Sequence, residues 1–336
     1  MEKKIAVLGA GSWGTALAVT LAGKGHNVRM WDIKAEHVEA LTADRENKRY
    51  LSGIPFPASL QPVFETQEAI TGADIVLFSA PAQHFRSALA AAKPYLKPDM
   101  VLVNVAKGIE QKTLLRLSQI ADEQVPEANY VVLSGPSHAE EVGRAMPTTV
   151  VAASRRIELA EYIQDVFMTE NFRVYTNTDV TGVEFGGALK NIIALGAGIS
   201  DGMGFGDDAK AAMMTRGLTE ISRLGVKLGA KDSTFAGLSG MGDLIVTCTS
   251  MHSRNRRCGI MIGEGMKPSE ATKNVGMVVE GMYTTEAAYE LAKKNGVEMP
   301  ITEAIYGVIN EKLDARDAVR GLMTRSRKKE MEDIFI

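Results

Sequence analysis

Ile5-Ala-Val-Leu-Gly-Ala-Gly-Ser-Trp-Gly-Thr-Ala-Leu-Ala18 is the stretch on which the reading of this chain turns. The apolar run Ile5 to Leu8 has the composition of a strand buried on both faces. Gly9-Ala-Gly-Ser-Trp-Gly14 follows with G-x-G-x-x-G spacing, and a helix-forming run starts at Thr15. Each glycine has a physical task in that setting. Gly9 permits a tight strand-to-helix turn, Gly11 lets backbone approach a pyrophosphate, and Gly14 lets helix and strand pack closely. The anion would lie on unpaired N–H groups at the positive end of the helix.

The chain holds 32 glycines, so the spacing alone would fit a ligand-free turn as well. A second apolar strand over residues 28–31 makes the dinucleotide the stronger reading. It arrives at βαβ distance and ends in Asp32, 23 residues after Gly9. A carboxylate there accepts hydrogen bonds from the adenosine ribose hydroxyls.

Beyond it, Asp44-Arg-Glu-Asn-Lys-Arg-Tyr-Leu51 and Ile54-Pro-Phe-Pro57 carry charges and prolines and read as a surface excursion. Further strands are expected over 75–78, 100–105, 130–133, 148–152 and 172–175. Helices are expected over 82–95, 113–121 and 158–167. This alternation predicts an α/β Rossmann-type doubly wound parallel sheet over residues 1–178. Ligands bind such sheets at the carboxyl ends of the strands. Gly9, Asp32, Ser79-Ala-Pro81, Lys107-Gly108 and Ser134-Gly-Pro-Ser137 all fall there. From residue 179 β-branched runs become rare, and long helical stretches predict a second, all-helical domain over 179–336.

Composition narrows the function classes. The net charge is −3, with 38 basic against 41 acidic residues, so no overall positive field draws the chain to nucleic acid. No apolar run reaches the ~18 residues of a membrane span, and no secretory segment precedes the first strand. Cys248 and Cys258 are the only cysteines and form no C-x-x-C, which fits a reducing compartment. The expectation is a soluble, cytoplasmic protein without membrane insertion. His84 and His138 stand alone, so no metal site is expected.

Three stretches of the second domain suggest chemistry. Lys190 lies in Glu184-Phe-Gly-Gly-Ala-Leu-Lys-Asn-Ile-Ile-Ala-Leu-Gly-Ala-Gly198, a helix apolar on nearly every face and therefore buried. Its glycines each cost about 1 kcal/mol against alanine, a cost that close approach of a helix or ligand would explain. Desolvation disfavours the ammonium and suits such a lysine to proton transfer, unless it snorkels to solvent. Asp243, after Gly237-Leu-Ser-Gly-Met-Gly242, either caps a helix or sets a carboxylate near bound hydroxyls or a lysine. Ser253-Arg-Asn-Arg-Arg257 reads as a phosphate clamp or as a solvated basic face. In the first domain, Lys107 is either a loop lysine or a positive charge for a substrate oxygen over a nicotinamide.

Taken together, Gly9-Ala-Gly-Ser-Trp-Gly-Thr-Ala16, Lys107-Gly-Ile-Glu110, Ser134-Gly-Pro-Ser137, Gly187-Ala-Leu-Lys-Asn191, Gly242-Asp243, Ser253-Arg-Asn-Arg256 and Val278-Val-Glu-Gly281 resemble the bacterial NAD(P)-dependent glycerol-3-phosphate dehydrogenase family over almost the whole chain. The resemblance implies reversible hydride transfer between dihydroxyacetone phosphate and sn-glycerol 3-phosphate, supplying phospholipid synthesis. It implies proton transfer by Lys190. Lys107, Gly135, Ser137, Asp243, Ser253, Arg254 and Asn255 match substrate-contacting positions. Ser12, Trp13, Ala139, Arg254, Val278 and Glu280 match cofactor-contacting ones, beside Gly9, Gly11, Gly14 and Lys107. The partner implied is a phosphorylated small molecule. A homodimer is compatible with the resemblance but is not given by the sequence.

One departure bears on the cofactor, which is NAD or NADP. Many family members follow the tryptophan with a small residue and then histidine or arginine, suited to a 2′-phosphate. Here Asp32, Ile33 and Lys34 follow Trp31. Asp32 would repel a 2′-phosphate and Lys34 would offset part of that, so NAD is the expected preference. Two other readings stand beside this one, the first sharing the sheet, the helical second domain and a helix lysine, the second leaving Lys190, Asp243 and the arginine cluster unexplained. One is a β-hydroxyacid or 6-phosphogluconate-type dehydrogenase, and the other is a non-catalytic dinucleotide-sensing regulator.

Overall fold

Strand β1 (Lys4–Leu8) lies inside an eight-stranded sheet, and Ile5, Ala6, Val7 and Leu8 are all but inaccessible. The computed structural model describes residues 2–126, 128–327 and 329–330. The other strands in chain order are β2 (Asn27–Trp31), β3 (Glu46–Asn47), β4 (Leu51–Pro55), β5 (Leu60–Val63), β6 (Ile75–Phe78), β7 (Val101–Asn104), β8 (Asn129–Ser134), β9 (Thr148–Ala153) and β10 (Phe172–Asn177). The large sheet runs β10-β9-β8-β7-β6-β1-β2-β5, and β3 and β4 form a separate antiparallel ribbon. In register, Leu8 stands beside Trp31 and Phe78, and Phe78 beside Asn104. The carboxyl ends of these four strands are therefore level.

The sheet is parallel except at one place. β9 runs antiparallel to β8, so β9 and β10 oppose the rest. The chain between β8 and β9 carries only the short helix Ala139–Gly143, which packs on helix Ser12–Gly23 instead of crossing the sheet. Without a crossover the next strand enters antiparallel.

The stretch read as a surface excursion is part of the core. Leu51, Ile54 and Phe56 are buried in the apolar cluster of this unit, and Asn47 is fully buried. Its Nδ2 donates to the Ala10 carbonyl at 2.9 Å and to Thr15 Oγ1 at 2.8 Å. Satisfied hydrogen bonds let a polar side chain go where its type alone argues against. β5 was not expected either. It extends the sheet beyond β2, and Pro62 is tolerated because β5 is an edge strand.

The chain divides into two compact units, Met1–Lys107 with Leu117–Val180, and Gly108–Arg116 with Thr181–Ile336. The detour Gly108–Arg116 is a small hairpin in which Ile109 bridges Arg116. Ile109 is fully buried in the second unit's apolar cluster, and Arg116 pairs with Glu184 at 2.6 Å. The expected helix from 113 therefore starts only at Leu117, because Leu114 takes a left-handed turn at φ 62°.

The second unit's described elements are helices apart from that hairpin. Helix Val180–Gly202 is its spine, buried almost throughout. One glycine of this helix and one of helix Arg254–Gly263 are explained by backbone approach. A Cβ on Gly198 would lie 2.1 Å from the Arg256 carbonyl oxygen, and one on Gly259 would lie 2.1 Å from that of Leu195. Helices Val180–Gly202 and Arg254–Gly263 thus cross with main chain against main chain.

Glu220, on helix Asp207–Lys227, is buried and accepts hydrogen bonds from Ile301 N at 2.6 Å, Thr302 N at 3.1 Å and Thr302 Oγ1 at 3.2 Å. It caps helix Pro300–Ile309 from another helix. Burial pushes its carboxyl up to about 7 against the pull of these donors. The folded state keeps this proton where the unfolded chain has lost it. Its contribution is fully present below about 4.5 and is lost as pH rises through about 7, on the order of 3 kcal/mol in all. Denaturation midpoints of Glu220→Gln should therefore change less between pH 5 and 8 than those of the parent. An unchanged slope would place its origin elsewhere.

Candidate active site

The glycine turn comes first in the first unit. Gly9 has φ 119°, and a Cβ there would lie 3.0 Å from the Ser79 carbonyl carbon. A Cβ on Gly14 would lie 2.0 Å from the Gly9 carbonyl oxygen, so the turn closes only with glycine at both places. At Gly11 a Cβ would meet nothing within 4 Å. The backbone there faces open space, and no side chain caps helix Ser12–Gly23. Orphan N–H groups beside open space fit a pyrophosphate. Trp13 is half-buried beside this turn, and its Nε1 is buried without a partner.

Asp32 stands at the end of β2 with its side chain 15% exposed. Its Oδ1 accepts from Lys34 N at 3.0 Å, and its Oδ2 lies 3.3 Å from His37 Nδ1. Lys34 is exposed. At the ends of β7 and β8, Lys107 Nζ donates to the Gly135 carbonyl at 2.9 Å, and Ser137 Oγ donates to the same oxygen at 2.8 Å. Gly135 has φ 134°, and a Cβ on it would lie 3.0 Å from Val150 Cα. Lys107, Gly135 and Ser137 are thus gathered on one carbonyl. Ala139 follows as the first residue of its helix and is buried.

In the second unit, Lys190 does not snorkel. It is 6% exposed and donates to Asp243 Oδ1 at 2.5 Å and to Thr247 Oγ1 at 2.6 Å. Asp243 is 1% exposed. A wide π-helical turn over Leu238–Gly242 delivers it to the start of helix Asp243–Thr249, where it pairs with the lysine rather than capping. Thr247 donates back to the Asp243 carbonyl at 2.6 Å. A buried ammonium held by a carboxylate and a hydroxyl can give a proton to a bound oxygen without reorganising. Cys248 follows, but burial pushes its thiol up to about 12, so it carries no nucleophilic chemistry.

The arginine stretch separates into different tasks. Ser253 caps helix Arg254–Gly263, its Oγ accepting from Arg256 N. Arg256 is structural: its guanidinium pairs with Asp201 at 2.7 Å and donates to the Thr249 carbonyl at 3.0 Å. Arg254 is half-buried at the first helical position. Asn255 is buried, donates to Asn191 Oδ1 at 2.8 Å and accepts from Gly281 N at 2.8 Å. It therefore ties three helices together, and its amide has a second Nδ2–H to donate. Val278 is exposed, and Glu280 opens helix Glu280–Asn295.

Two family models match the chain, the N-terminal part of NAD-dependent glycerol-3-phosphate dehydrogenase over residues 4–160 and its C-terminal part over residues 179–320. The chain belongs to the NAD-dependent glycerol-3-phosphate dehydrogenase family. A glycerol-3-phosphate dehydrogenase (NAD(P)+) of Pelotomaculum thermopropionicum is 56% identical over 339 residues, covering 100% of this chain and 97% of the relative. One from Bacillus pumilus is 53% identical over 335 residues, covering 99% and 97%. The crystal structure of the Coxiella burnetii glycerol-3-phosphate dehydrogenase superposes with a TM-score of 0.94 at 39% identity, covering 96% of this chain and 99% of that one. Full-length matches of this kind favour a dehydrogenase of this family over both the 6-phosphogluconate type and the sensor.

The family resemblance found in the sequence assigned no role to His37, Asn47, Thr247 or Asn191, all of which touch these groups. Asn191 and Thr247 carried one signal. Asn191 follows Lys190 directly, and Thr247 lies one helical turn after Asp243.

Proposed function

We propose that this chain interconverts dihydroxyacetone phosphate and sn-glycerol 3-phosphate with NAD(H) or NADP(H), and so supplies phospholipid synthesis. The observation that carries the reading is Lys190 buried against Asp243 and Thr247 in a chain of this family. The residues of the glycine turn, Gly9, Gly11, Ser12, Trp13 and Gly14, would hold the pyrophosphate, and Asp32 the adenosine ribose. Lys107, Ala139, Arg254, Val278 and Glu280 complete the proposed cofactor contacts. NADH, when bound, supplies hydride to the carbonyl carbon. Lys190 Nζ gives its proton to the carbonyl oxygen as the C=O bond becomes an alcohol, and takes it back in oxidation. Asp243 and Thr247 hold Nζ in place. Arg254 and Asn255 anchor the phosphate, with Ser253, Lys107, Gly135 and Ser137 as further substrate contacts. The test is NADH oxidation across a panel of ketones. Turnover with dihydroxyacetone phosphate far above that with unphosphorylated dihydroxyacetone or a β-ketoacid is expected, and the reverse order would overturn the reading.

The cofactor preference rests on Asp32. A carboxylate at the end of β2 favours ribose hydroxyls over a 2′-phosphate, so NAD(H) is preferred. Asp32→Ala should raise kcat/KM for NADPH relative to NADH. A parent enzyme that already uses NADPH more efficiently would contradict this assignment.

The proposed compartment is the cytoplasm, supported by two free, buried cysteines. Among the described residues no helix is long and apolar enough to cross a membrane. The proposed assembly is a homodimer, and sedimentation equilibrium that fits a monomer would reject it.

A further inference from the structure

One peptide plane of the glycine turn is held by a side chain from far along the chain. Asn47, on β3, is fully buried, and both hydrogens of its Nδ2 go to the turn. One is donated to the Ala10 carbonyl at 2.9 Å and the other to Thr15 Oγ1 at 2.8 Å. The sense of the amide follows from these partners, since a carbonyl can only accept, and Oδ1 receives Tyr50 N at 3.1 Å. Across a trans peptide the C=O and the next N–H point in opposite directions. An Ala10 carbonyl drawn inward to Asn47 therefore turns the Gly11 N–H away from Asn47, at a residue whose backbone borders open space. The neighbouring planes are held by main chain. Gly9 N donates to the Trp31 carbonyl at 3.0 Å, and the Gly11 carbonyl accepts from Thr15 N at 2.9 Å. Glycine takes either sign of φ at little steric cost, so without Asn47 the Ala10–Gly11 plane between them would be free to turn over. The Ala10 carbonyl would then face the anion in place of the Gly11 N–H.

We propose that Asn47 locks the Ala10–Gly11 peptide in its anion-accepting orientation and is thereby a positioning residue for the pyrophosphate of the dinucleotide. The proposal rests on the reading of the glycine turn as the pyrophosphate site. With both Nδ2 hydrogens committed to the turn, Asn47 acts through the peptide and not on the cofactor itself. The antiparallel ribbon of β3 and β4 gives it a fixed reach. Leu51, opposite Asn47 in that ribbon, and Ile54 are buried in the first unit's apolar cluster. A residue 37 positions from Ala10 is so held against the turn.

The measurement is calorimetric binding of ADP-ribose, which carries the pyrophosphate without the nicotinamide, compared with adenosine, which has no phosphate. Asn47→Asp keeps the shape but replaces the donor facing the Ala10 carbonyl with an acceptor. ADP-ribose should bind this variant about tenfold or more weakly than the parent, the range of one hydrogen bond to a charged group, while adenosine changes little. Asn47→Ala repeats the test without an added charge, and its kinetics should show a raised KM for NADH with kcat largely kept. Leu51→Ala is the control for folding. It loosens the same ribbon without touching the turn, so its Tm should fall while ADP-ribose binds as to the parent. Equal losses for ADP-ribose and adenosine, or a loss in Leu51→Ala as large as in the Asn47 variants, would reduce Asn47 to holding the fold and overturn the proposal. One readout needs no variant. With ¹⁵N-glycine labelling, the Gly11 amide proton of the parent should move downfield as ADP-ribose is added, and an amide that stays in place would be decisive against the lock. Failure of the pyrophosphate reading looks different: the parent itself would not bind ADP-ribose.

Discussion

Lys190→Ala is expected to lower kcat at least ~10²-fold while NADH affinity stays close to that of the parent. The lysine is held against both Asp243 and Thr247, and the proposed reaction needs a proton at oxygen as hydride reaches carbon. Lys190→Met keeps the length without the ammonium and should be as inactive. Lys190→Arg separates two roles. A guanidinium keeps the charge opposite Asp243 but does not release a proton in the working range. If Lys190 transfers the proton, the arginine variant stays inactive, and small primary amines restore part of the turnover of Lys190→Ala. If it only neutralises Asp243, the arginine variant keeps most of its activity. Near-native turnover in Lys190→Arg would end the acid–base assignment. Breaking a buried pair also leaves Asp243 uncompensated, so unfolding midpoints must accompany the kinetics.

Arg254→Ala is expected to cost about 2–4 kcal/mol in kcat/KM for dihydroxyacetone phosphate, the range for a lost charge-assisted pair. Dihydroxyacetone, which has no phosphate to anchor, should lose far less. Because Arg254 is also a proposed cofactor contact, NADH affinity is measured separately by fluorescence titration. Equal losses on both ketones would move Arg254 away from the phosphate. Arg256→Ala gives the contrast. Its guanidinium is committed to Asp201 and the Thr249 carbonyl, so its loss should appear in stability and on both ketones alike.

Much of the fold was legible because its signals are local. The glycine turn, the apolar β1 and β2 and the glycine-rich helix around Lys190 each state their structure within a dozen residues. What escaped depends on partners far along the chain. Asn47 looks like a loop residue until Ala10 and Thr15 supply its hydrogen bonds. Ile109 follows directly on the carboxyl end of a sheet strand, yet it is buried with the helices of the second unit. The reversal of β9 follows from where helix Ala139–Gly143 docks, which no periodicity encodes. Within the candidate site, Asp243 read slightly better as a helix cap than as a charge partner. Its pairing with Lys190, 53 residues earlier, decides only once the helices are in place. The arginine run could not be sorted from sequence either, since Asp201 is what distinguishes Arg256 from Arg254.

The crossing at Gly198 and Gly259 has a consequence for which substrates fit. One helix of that crossing carries Lys190, the proposed proton donor, and the other carries the residues proposed for the phosphate. Their separation is set by peptide backbones in contact, which compress far less than interleaved side chains. On the proposed assignments, the pair would work as a fixed gauge between the reacting oxygen and the anionic tail. A ketone with its phosphate one carbon further out would have to fold back on itself or give up one of its two ends. Selectivity for chain length would then reside in two missing methyl groups, at positions packed against backbone.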